Sequence, residues 1–506
     1  MSQAAEGGSA RELRLWVLLV GAAGLVVAVF ASNSLPTIAE LAKSSSSPDP
    51  PPELSREGLR TLGCAWLMAW WWIGSRLPLA IPSLIPLALF PLLGILGSKA
   101  AARPYADRMV LLLLCGFLLA LAVEKWNLHR RVALTVLVAV GRSPNLLVGT
   151  VMLITACLSM WISNTATTLM MLPIVLALVS SARGENSDGK ANTRFGQLML
   201  LALAYSASIG GMATPVGTPP NLLFASAYAE HFPEAAEIDF AAWMKIGVPV
   251  AGLMLATTWL LLTRLLLPLP QNYRLGDRSE LRARLASLGS LSKAELRVAI
   301  GFTITCLLWV FRKKIGLPEA VHDSTIAAAM VIVFFLVPSG GTKDEAPRLL
   351  EWEDSRNVPW GLLLLFGGGI ALSAAFKSSG LTSWLGAQLD FLTTMPTVVM
   401  IAGLCLVVTM LTEITSNTAT TSLILPVLAA TAAATVGSAH VVDPLLLMVP
   451  ATLAASCAFM LPVATAPNAI VVGSGAVDQA AMVRTGLVLN VVGIIPITLV
   501  VLLLLS

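Results

Sequence analysis

A short polar phrase occurs twice in this chain, both times inside apolar sequence. Residues 163–168 read Ser-Asn-Thr-Ala-Thr-Thr, and residues 416–421 repeat the same six letters, each copy followed shortly by a Leu-Pro pair. Hydroxyls and amides inside a bilayer are costly unless they line a cavity or bind a ligand. Two copies about 250 residues apart therefore predict an internally duplicated membrane protein in which both halves build one binding site.

Each polar phrase precedes a Gly/Pro-rich interruption of a long apolar segment. The first interruption runs from Gly210 to Asn221 and the second from Leu461 to Asn468. Because proline lacks a backbone donor and glycine tolerates unwound geometry, both interruptions predict broken helices with free carbonyl and N–H groups. Carbonyl, hydroxyl and amide oxygens suit a small cation, whereas N–H groups at a helix N-terminus suit a carboxylate or sulfate. We therefore expect a cation and an anion to bind side by side.

Neither the repeated phrases nor the interruptions contain a lysine or an arginine. The positive potential for an anion must then come from helix dipoles and bound cations, which predicts cation-coupled binding and disfavours nucleotides and sugar phosphates. Glu413, three residues before Ser416, could be a cation ligand, a proton carrier or an anchor for the second polar segment, and the anchor is preferred. Asp323 opens an apolar segment and is expected to cap that helix.

The composition is that of a polytopic membrane protein. Of 506 residues, 56% are hydrophobic and 12% charged, and the mean hydropathy is +0.82, whereas soluble domains carry roughly a quarter charged residues. The net charge of +4 comes from basic residues in short loops, which disfavours nucleic acid as a partner. The six cysteines and four histidines are scattered, and the sequence has no H-E-x-x-H motif and no paired aspartates or Ser–His pair at membrane depth. We therefore expect no zinc site and no enzyme.

The placement of lysine and arginine orients about eleven predicted transmembrane helices. Residues 264–297 form the most basic loop and residues 229–243 an acidic one, which predicts a cytoplasmic N-terminus and an external C-terminus. The basic triplet at 312–314 conflicts with this rule, because the same topology places it outside. Residues 78–97 are expected to be one span, and residues 15–31 either a retained first span, which is preferred, or a cleaved signal peptide.

The segments around the two polar phrases do not read as ordinary spans. Arms of about ten residues rise about 15 Å, half a bilayer, so residues 145–181 and 397–436 are predicted to be re-entrant helical hairpins. An odd number of spans separates their tips, which makes the second half an inverted copy of the first. The predicted organisation begins with an N-terminal span and external linker (1–57). The first repeat (58–270) has scaffold helices, an inward hairpin and a broken helix at 197–228, and a cytoplasmic basic connector (271–297) follows it. The second repeat (298–506) has scaffold helices, an outward hairpin and a broken helix at 444–470.

At these residues the chain resembles the divalent anion:sodium symporter (DASS) family, the sodium-coupled dicarboxylate, citrate and sulfate carriers. The resemblance covers nearly the whole chain after about residue 58, and its motifs are EKWNLHRR at 124–131, SMWISNT at 159–165, GTPPN at 217–221, TEITSNT at 412–418 and MLPVATAPN at 460–468. It implies an all-α, multi-pass protein of the plasma (inner) membrane, surrounded by lipid. It also implies a homodimer in which a transport domain moves against a fixed scaffold, the elevator mechanism.

The same resemblance implies two sodium sites and one anion site between the polar turns. The first sodium site would use Ser159, Ser163, Asn164 and backbone near Gly210 and Gly211. The second would use Thr412, Ser416, Asn417 and backbone near Ala464. Carboxylate contacts would fall to Asn164, Thr165, Asn417, Thr418, Thr465 and Pro467.

The expected function is sodium-driven symport of a C4 dicarboxylate such as succinate, malate or fumarate. Sodium is the co-transported ion, no organic cofactor is expected, and the partners are a small dianion, sodium and lipid. Two alternatives stay open: a sodium-independent dicarboxylate exchanger on the same fold, and a sodium-coupled carrier of sulfate or citrate. The hydroxyl and amide sets in both halves favour sodium coupling, whereas pocket volume decides among the anions.

Overall fold

The computed structural model describes residues 2–37, 40, 53–75, 77–139, 143–181, 189–270, 279–340, 347–388, 395–435 and 441–505. Within these ranges the chain is helical, with one isolated bridge between Pro338 and Arg348. Most of the predicted external linker (41–52) and the start of the basic connector (271–278) lie outside the described residues.

Six helical segments in the described ranges are long and apolar enough to cross a membrane. They are Ser98–Lys125, Phe240–Leu266, Lys293–Phe311, Trp360–Ser378, Thr397–Ile414 and Gln479–Leu505. The prediction of an all-α chain with several membrane-length helices is thereby confirmed, and the count of about eleven spans stays a prediction.

Within the described residues, the first half of the chain has eleven α-helices. They are α1 (Ser2–Ser32), α2 (Arg56–Gly74), α3 (Ile85–Leu92), α4 (Ser98–Ala102), α5 (Arg108–Lys125), α6 (Leu128–Ala139), α7 (Pro144–Ser159), α8 (Asn164–Ser181), α9 (Gly189–Gly211), α10 (Pro219–His231) and α11 (Phe240–Leu260). Helix α11 continues as a π-helical turn to Leu266.

In the described part of the second half, a connecting helix is followed by ten more helices. They are α12 (Ser279–Ser287), α13 (Lys293–Phe311), α14 (Asp323–Leu336), α15 (Trp360–Ser378), α16 (Leu381–Gln388), α17 (Thr397–Ile414), α18 (Asn417–Ala434), α19 (Pro444–Ala455), α20 (Ala466–Gly473), α21 (Gln479–Val492) and α22 (Ile494–Leu505). Short 3₁₀ turns lie at Pro82–Leu84, Arg103–Ala106 and Trp352–Asn357.

Residues 78–97 are not one continuous span, contrary to the sequence expectation. A 3₁₀ turn is followed by α3, which has only eight residues and contains prolines 86 and 91. Proline supplies no backbone donor, and Gly94 adopts a φ of 68°, a left-handed conformation that ends the helix. Hydropathy alone cannot register these interruptions, because proline lies within an otherwise apolar run.

The buried apolar side chains of the described residues form two clusters. The smaller cluster joins α2, α3, α15 and α16 through residues such as Met68, Phe90 and Phe376. The larger cluster surrounds α9 and includes residues from α5 to α22. Helix α18 contributes Ala419 to the smaller cluster and Leu425 to the larger one, so this arm of the second hairpin is packed between both.

The basic triplet at 312–314 lies beside the acidic loop rather than alone on its face. Arg312, which is largely buried, places its guanidinium 3.1 Å from Glu237 and 3.2 Å from Asp323, and the Lys313 ammonium lies 2.6 Å from Asp239. Burial alone would raise the pKa of Asp239, but hydrogen bonding to Lys313 and the nearby Arg312 charge lower it below its ordinary value. The conflict with the charge rule is therefore local, because the carboxylates of Glu237, Asp239 and Asp323 balance the charges of Arg312 and Lys313.

Asp323 does not cap its own helix, contrary to the sequence expectation. The N-cap position of α14 is His322, and no side-chain capping bond is formed there. Asp323 Oδ2 instead accepts a hydrogen bond from the backbone N–H of Phe240, at 2.9 Å, and thereby holds the start of α11. The partner lies 83 residues away in sequence, so a local capping pattern could not reveal it.

The EKWNLHRR motif joins the two halves of the chain. Lys125 Nζ lies 2.7 Å from Asp354 Oδ2, and Trp126 Nε1 donates to Leu349 O at 2.9 Å. Arg131 forms an ion pair of 2.8 Å with Glu295 at the start of α13. The motif thus fixes the α5–α6 corner to the segments that surround α13 and α15.

Candidate binding site between the two polar turns

Each polar phrase begins the second arm of a helical hairpin. Helices α7 and α8 are joined by residues 160–163, and α17 and α18 by residues 415–416. The first turn is closed by the N–H groups of Trp161 and Ile162, which both donate to Leu158 O at 3.0 Å. The second arms therefore begin at equivalent asparagines, Asn164 and Asn417.

Three oxygens converge behind each turn. In the first half, Ser159 Oγ lies 2.6 Å from Asn164 Oδ1 and 2.7 Å from Ala207 O. In the second half, Thr412 Oγ1 lies 2.8 Å from Asn417 Oδ1 and 2.9 Å from Ala455 O. A hydroxyl has one hydrogen and donates to one acceptor at a time, so each cluster keeps one short contact between oxygen lone pairs.

The sequence reasoning identified the side chains of these clusters but not their carbonyls. It named backbone near Gly210, Gly211 and Ala464, whereas the carbonyls in contact belong to Ala207 and Ala455. Alanine side chains carry no polar signal. The available signal was position, since both alanines lie in the helical arm just before a Gly/Pro-rich interruption.

The two interrupted helices are bridged by equivalent asparagines. Asn221 Nδ2 donates to Gly211 O at 3.0 Å and to Thr214 O at 2.7 Å. Asn468 Nδ2 repeats this pattern with Ala458 O at 3.0 Å and Leu461 O at 3.1 Å. In each half the acceptors lie ten and seven residues before the asparagine, so both unwound segments are closed by the same side-chain contact.

Glycines 210 and 211 allow two close approaches in the first half. A Cβ at position 210 would overlap the backbone of Ala156, so this glycine lets α9 pack directly on α7. A Cβ at position 211 would lie 2.6 Å from Asn164 Oδ1 and 3.0 Å from Gly217 O. Position 211 therefore borders the first oxygen cluster.

A cavity of about 250 Å³ lies between the turns and the unwound segments. All six side chains expected to contact carboxylates line it: Asn164, Thr165, Asn417, Thr418, Thr465 and Pro467. Of the expected sodium ligands, Ser163, Ser416 and Ala464 also line the cavity, together with the two asparagines. Ser159 and Thr412 are fully buried and are not among the lining residues. None of the described residues that line the cavity is charged.

Four helix N-termini meet at this cavity. Its lining includes the first residues of α8, α10, α18 and α20, which are Asn164, Pro219, Asn417 and Ala466. A helix N-terminus carries about half a positive charge, and α8 and α18, which begin without proline, also expose N–H groups there. The cavity therefore offers an anion a positive potential without any lysine or arginine in its wall.

Glu413 anchors the second turn to the second unwound segment. Its carboxylate, 3% exposed, accepts hydrogen bonds from the N–H groups of Phe459, Met460 and Leu461 at 2.7, 2.8 and 2.9 Å, and from Asn490 Nδ2 at 2.6 Å. All four partners are neutral donors. This geometry matches the preferred interpretation of Glu413 as an anchor.

The first half closes the corresponding turn without a carboxylate. Met160 stands where Glu413 stands in the second half, and its carbonyl accepts a hydrogen bond from the Thr214 hydroxyl. The backbone N–H groups of Met212 and Ala213 donate to Ile209 O and Gly210 O, both at 3.1 Å. Only the second of these two equivalent positions therefore holds an acidic residue.

Comparison with known families identifies the chain. The sequence model described as "Sodium:sulfate symporter transmembrane region" matches residues 48–505. The chain belongs to this family. The resemblance to the divalent anion:sodium symporters, inferred from the five motifs, is thereby confirmed.

Three relatives of this sodium:sulfate symporter family member match it over most of their own sequences. A protein of Staphylococcus aureus (strain bovine RF122 / ET3-1), named a sodium-dependent dicarboxylate transporter, is 39% identical over 458 residues, 89% of this chain and 86% of the relative. Proteins with the same name from Staphylococcus saprophyticus (39% identical, 89% of this chain, 87% of the relative) and Staphylococcus aureus strain USA300 (38%, 89% and 86%) are similar. Family membership and the six apolar helices make the chain a multi-pass integral membrane protein.

Proposed function

We propose that this protein is a secondary active transporter that carries a dicarboxylate across the plasma (inner) membrane together with sodium. The observation that carries the proposal is the uncharged cavity at which four helix N-termini meet, next to two three-oxygen clusters. The named relatives, which are called sodium-dependent dicarboxylate transporters, support the same function.

The anion site is formed equally by both halves. Each half contributes two helix N-termini, one asparagine and three hydroxyls to the cavity wall, the hydroxyls being those of Ser163, Thr165 and Thr218 in the first half and Ser416, Thr418 and Thr465 in the second. An anion with a carboxylate at each end matches this duplication better than a compact single charge centre such as sulfate. We therefore favour C4 dicarboxylates, namely succinate, malate or fumarate, as substrates.

The two oxygen clusters are the proposed sodium sites. A cation placed against Ser159, Asn164 and Ala207 O would replace the unfavourable lone-pair contact with ion–oxygen attraction, and Thr412, Asn417 and Ala455 O offer the same chemistry. Ser163 and backbone near Gly210 and Gly211 complete the first proposed set, and Ser416 and backbone near Ala464 the second. Because Asn164 and Asn417 also line the cavity, sodium fixes the two amides that contact the anion.

Alternating access by an inverted repeat is the proposed mechanism of transport. Equivalent positions in the two halves have unequal environments: Val216 is 8% exposed, whereas Val463, in the same place in the second unwound segment, is 84% exposed. Exchange of these environments would open the cavity to the other side of the membrane. We propose that the hairpins and broken helices move as one body against a scaffold in a homodimer, with the first hairpin entering from the cytoplasm and the second from outside.

Uptake of radiolabelled succinate into proteoliposomes tests the proposal. One arm has an inward sodium gradient, and the other has external potassium and unlabelled succinate inside. Uptake in the sodium arm alone supports symport, and uptake only with preloaded succinate establishes exchange instead.

Asn164→Ala and Asn417→Ala should each abolish uptake while membrane insertion and oligomeric state stay unchanged. Near-normal uptake in both variants contradicts the assignment of these residues to the site.

A further inference from the structure

The first polar turn is held by an aromatic cluster that lies outside the cavity. Trp161, in this turn, stacks with Phe240 (ring centroids 5.8 Å apart, planes at 9°) and with Trp309 (6.3 Å, 10°). It also meets Phe302 edge-on at 5.6 Å and 84°. Phe240 and Trp309 stack on each other at 4.5 Å. These four side chains, here named the aromatic clamp, adopt geometries that aromatic pairs prefer.

The partners of Trp161 are fixed by the ion cluster at the helix ends. Trp309 Nε1 donates to the backbone carbonyl of Asp323 at 2.9 Å, while the carboxylate of Asp323 accepts from Phe240 N at 2.9 Å. Arg312 in turn pairs with Asp323 at 3.2 Å. Phe240 and Trp309 are both buried, so the clamp presents a rigid surface to the turn.

The second turn has a different residue at the corresponding position. Ile414 stands two residues before the repeated Ser-Asn-Thr, as Trp161 does in the first half. Its side chain is 64% exposed. The clamp is therefore a property of one turn, although the oxygen clusters behind the two turns are alike.

We propose that Trp161 is a positioning residue for the first sodium site, which it shapes through the aromatic clamp. Trp161 lies between Ser159 and Ser163, the two hydroxyl residues assigned to that site. A turn that is already ordered loses less conformational entropy when the ion binds, so the clamp strengthens sodium binding without touching the ion. This inference rests on the proposed function, because it assumes that sodium binds behind the first turn.

The test measures sodium binding by the purified protein without transport. Thermal unfolding is recorded over a range of sodium concentrations, with potassium added to hold ionic strength constant, because an ion bound only by the folded state raises the unfolding temperature. Trp161→Leu should raise the sodium concentration for half-maximal stabilisation about fivefold, equivalent to about 1 kcal/mol. Phe302→Leu should shift it in the same direction, and the double variant should shift it by less than the sum of the two single effects. Ile414→Ala, the matched change in the other turn, should leave it unchanged.

Two further comparisons separate positioning from general loss of stability. Trp161→Phe keeps a ring in the clamp and should retain most of the wild-type sodium response. Uptake at saturating sodium should keep its succinate KM in Trp161→Leu, since the ring is not among the cavity-lining residues. If the succinate KM changes by the same factor as the sodium concentration for half-maximal stabilisation, Trp161 is not a positioning residue for the sodium site.

The outcomes that overturn the inference are distinct from failure of the proposed function. If Trp161→Leu shifts the sodium midpoint no more than Ile414→Ala, the clamp does not act on the site. If Trp161→Leu does not fold, Phe302→Leu decides, and a wild-type midpoint in that variant overturns the inference. If the wild-type protein does not respond to sodium at all, the proposed sodium coupling is wrong, and this is seen before any variant is compared.

Discussion

Replacement of Gly211 by alanine should damage the first sodium site while the fold stays intact. The new methyl group would lie 2.6 Å from Asn164 Oδ1 and 3.0 Å from Gly217 O, whereas ordinary contacts with a Cβ begin at 3.4 Å. Asn164 Oδ1 already lies 2.6 Å from Ser159 Oγ, so it cannot retreat without disturbing the oxygen cluster.

The expected magnitude follows from the shift that the methyl group requires. Restoring ordinary contact would take a displacement of about 0.8 Å, from 2.6 Å to 3.4 Å, in the amide or in the backbone of α9. Overpacking of this kind costs about 1–3 kcal/mol. If that cost falls on the ion-binding geometry, the sodium concentration for half-maximal uptake rises roughly 5- to 150-fold.

Sodium-dependent succinate uptake into proteoliposomes checks this expectation. Gly403→Ala is the matched control, because position 403 lies in the middle of α17 and a Cβ there meets nothing within 4 Å. The control should transport like the wild type and be slightly more stable, since alanine is the better helix former. A Gly211→Ala protein with the wild-type sodium dependence would refute the placement of the first site against this glycine.

Three more expectations follow from the same structure. Glu413→Gln replaces one carboxylate oxygen with an NH2 group that cannot accept, so at least one buried N–H donor loses its partner and the unfolding free energy should fall by roughly 1–3 kcal/mol in thermal or denaturant melts; an unchanged melting midpoint contradicts the anchor. Arg312→Ala leaves the carboxylate of Asp323 without its guanidinium partner and should lower the melting temperature. Asp323→Asn, added to the Arg312→Ala protein, should recover part of that loss. No recovery would show that the two residues act independently. A cysteine at position 463 should react rapidly with a membrane-impermeant thiol reagent and one at position 216 slowly, and equal rates would contradict the unequal exposure of the two halves.

The sequence was informative where the chemistry is local. The repeated Ser-Asn-Thr phrases and the Gly/Pro interruptions predicted turns and unwound segments, because glycine, proline and asparagine impose backbone geometry on their immediate neighbours. These two kinds of element bring all six expected anion contacts to one cavity. Their assignment to substrate binding stays a prediction until uptake is measured.

The sequence was uninformative where the partners are backbone atoms or distant side chains. The carbonyls of Ala207 and Ala455 reach the oxygen clusters through helix packing, which no side-chain pattern records. Trp161 and Trp309 are 148 residues apart, and each reads as an ordinary membrane tryptophan. The triplet at 312–314 conflicted with the charge rule because that rule counts residues and ignores ion pairs such as Arg312–Glu237.

Electrostatics connects the unusual lining of the cavity to the need for a coupled ion. Three N–H groups of the second unwound segment donate to the Glu413 carboxylate, so they are not available to donate to the anion. The second half then attracts an anion mainly through the N-termini of α18 and α20, each worth about half a positive charge. The four helix N-termini at the cavity together carry about two positive charges, and the buried Glu413 carboxylate offsets part of this positive potential, while none of the described residues that line the cavity is basic. A cation beside Thr412 and Asn417 would add positive charge in the half of the site that contains the acidic Glu413. This is the physical reason to expect that anion binding requires sodium.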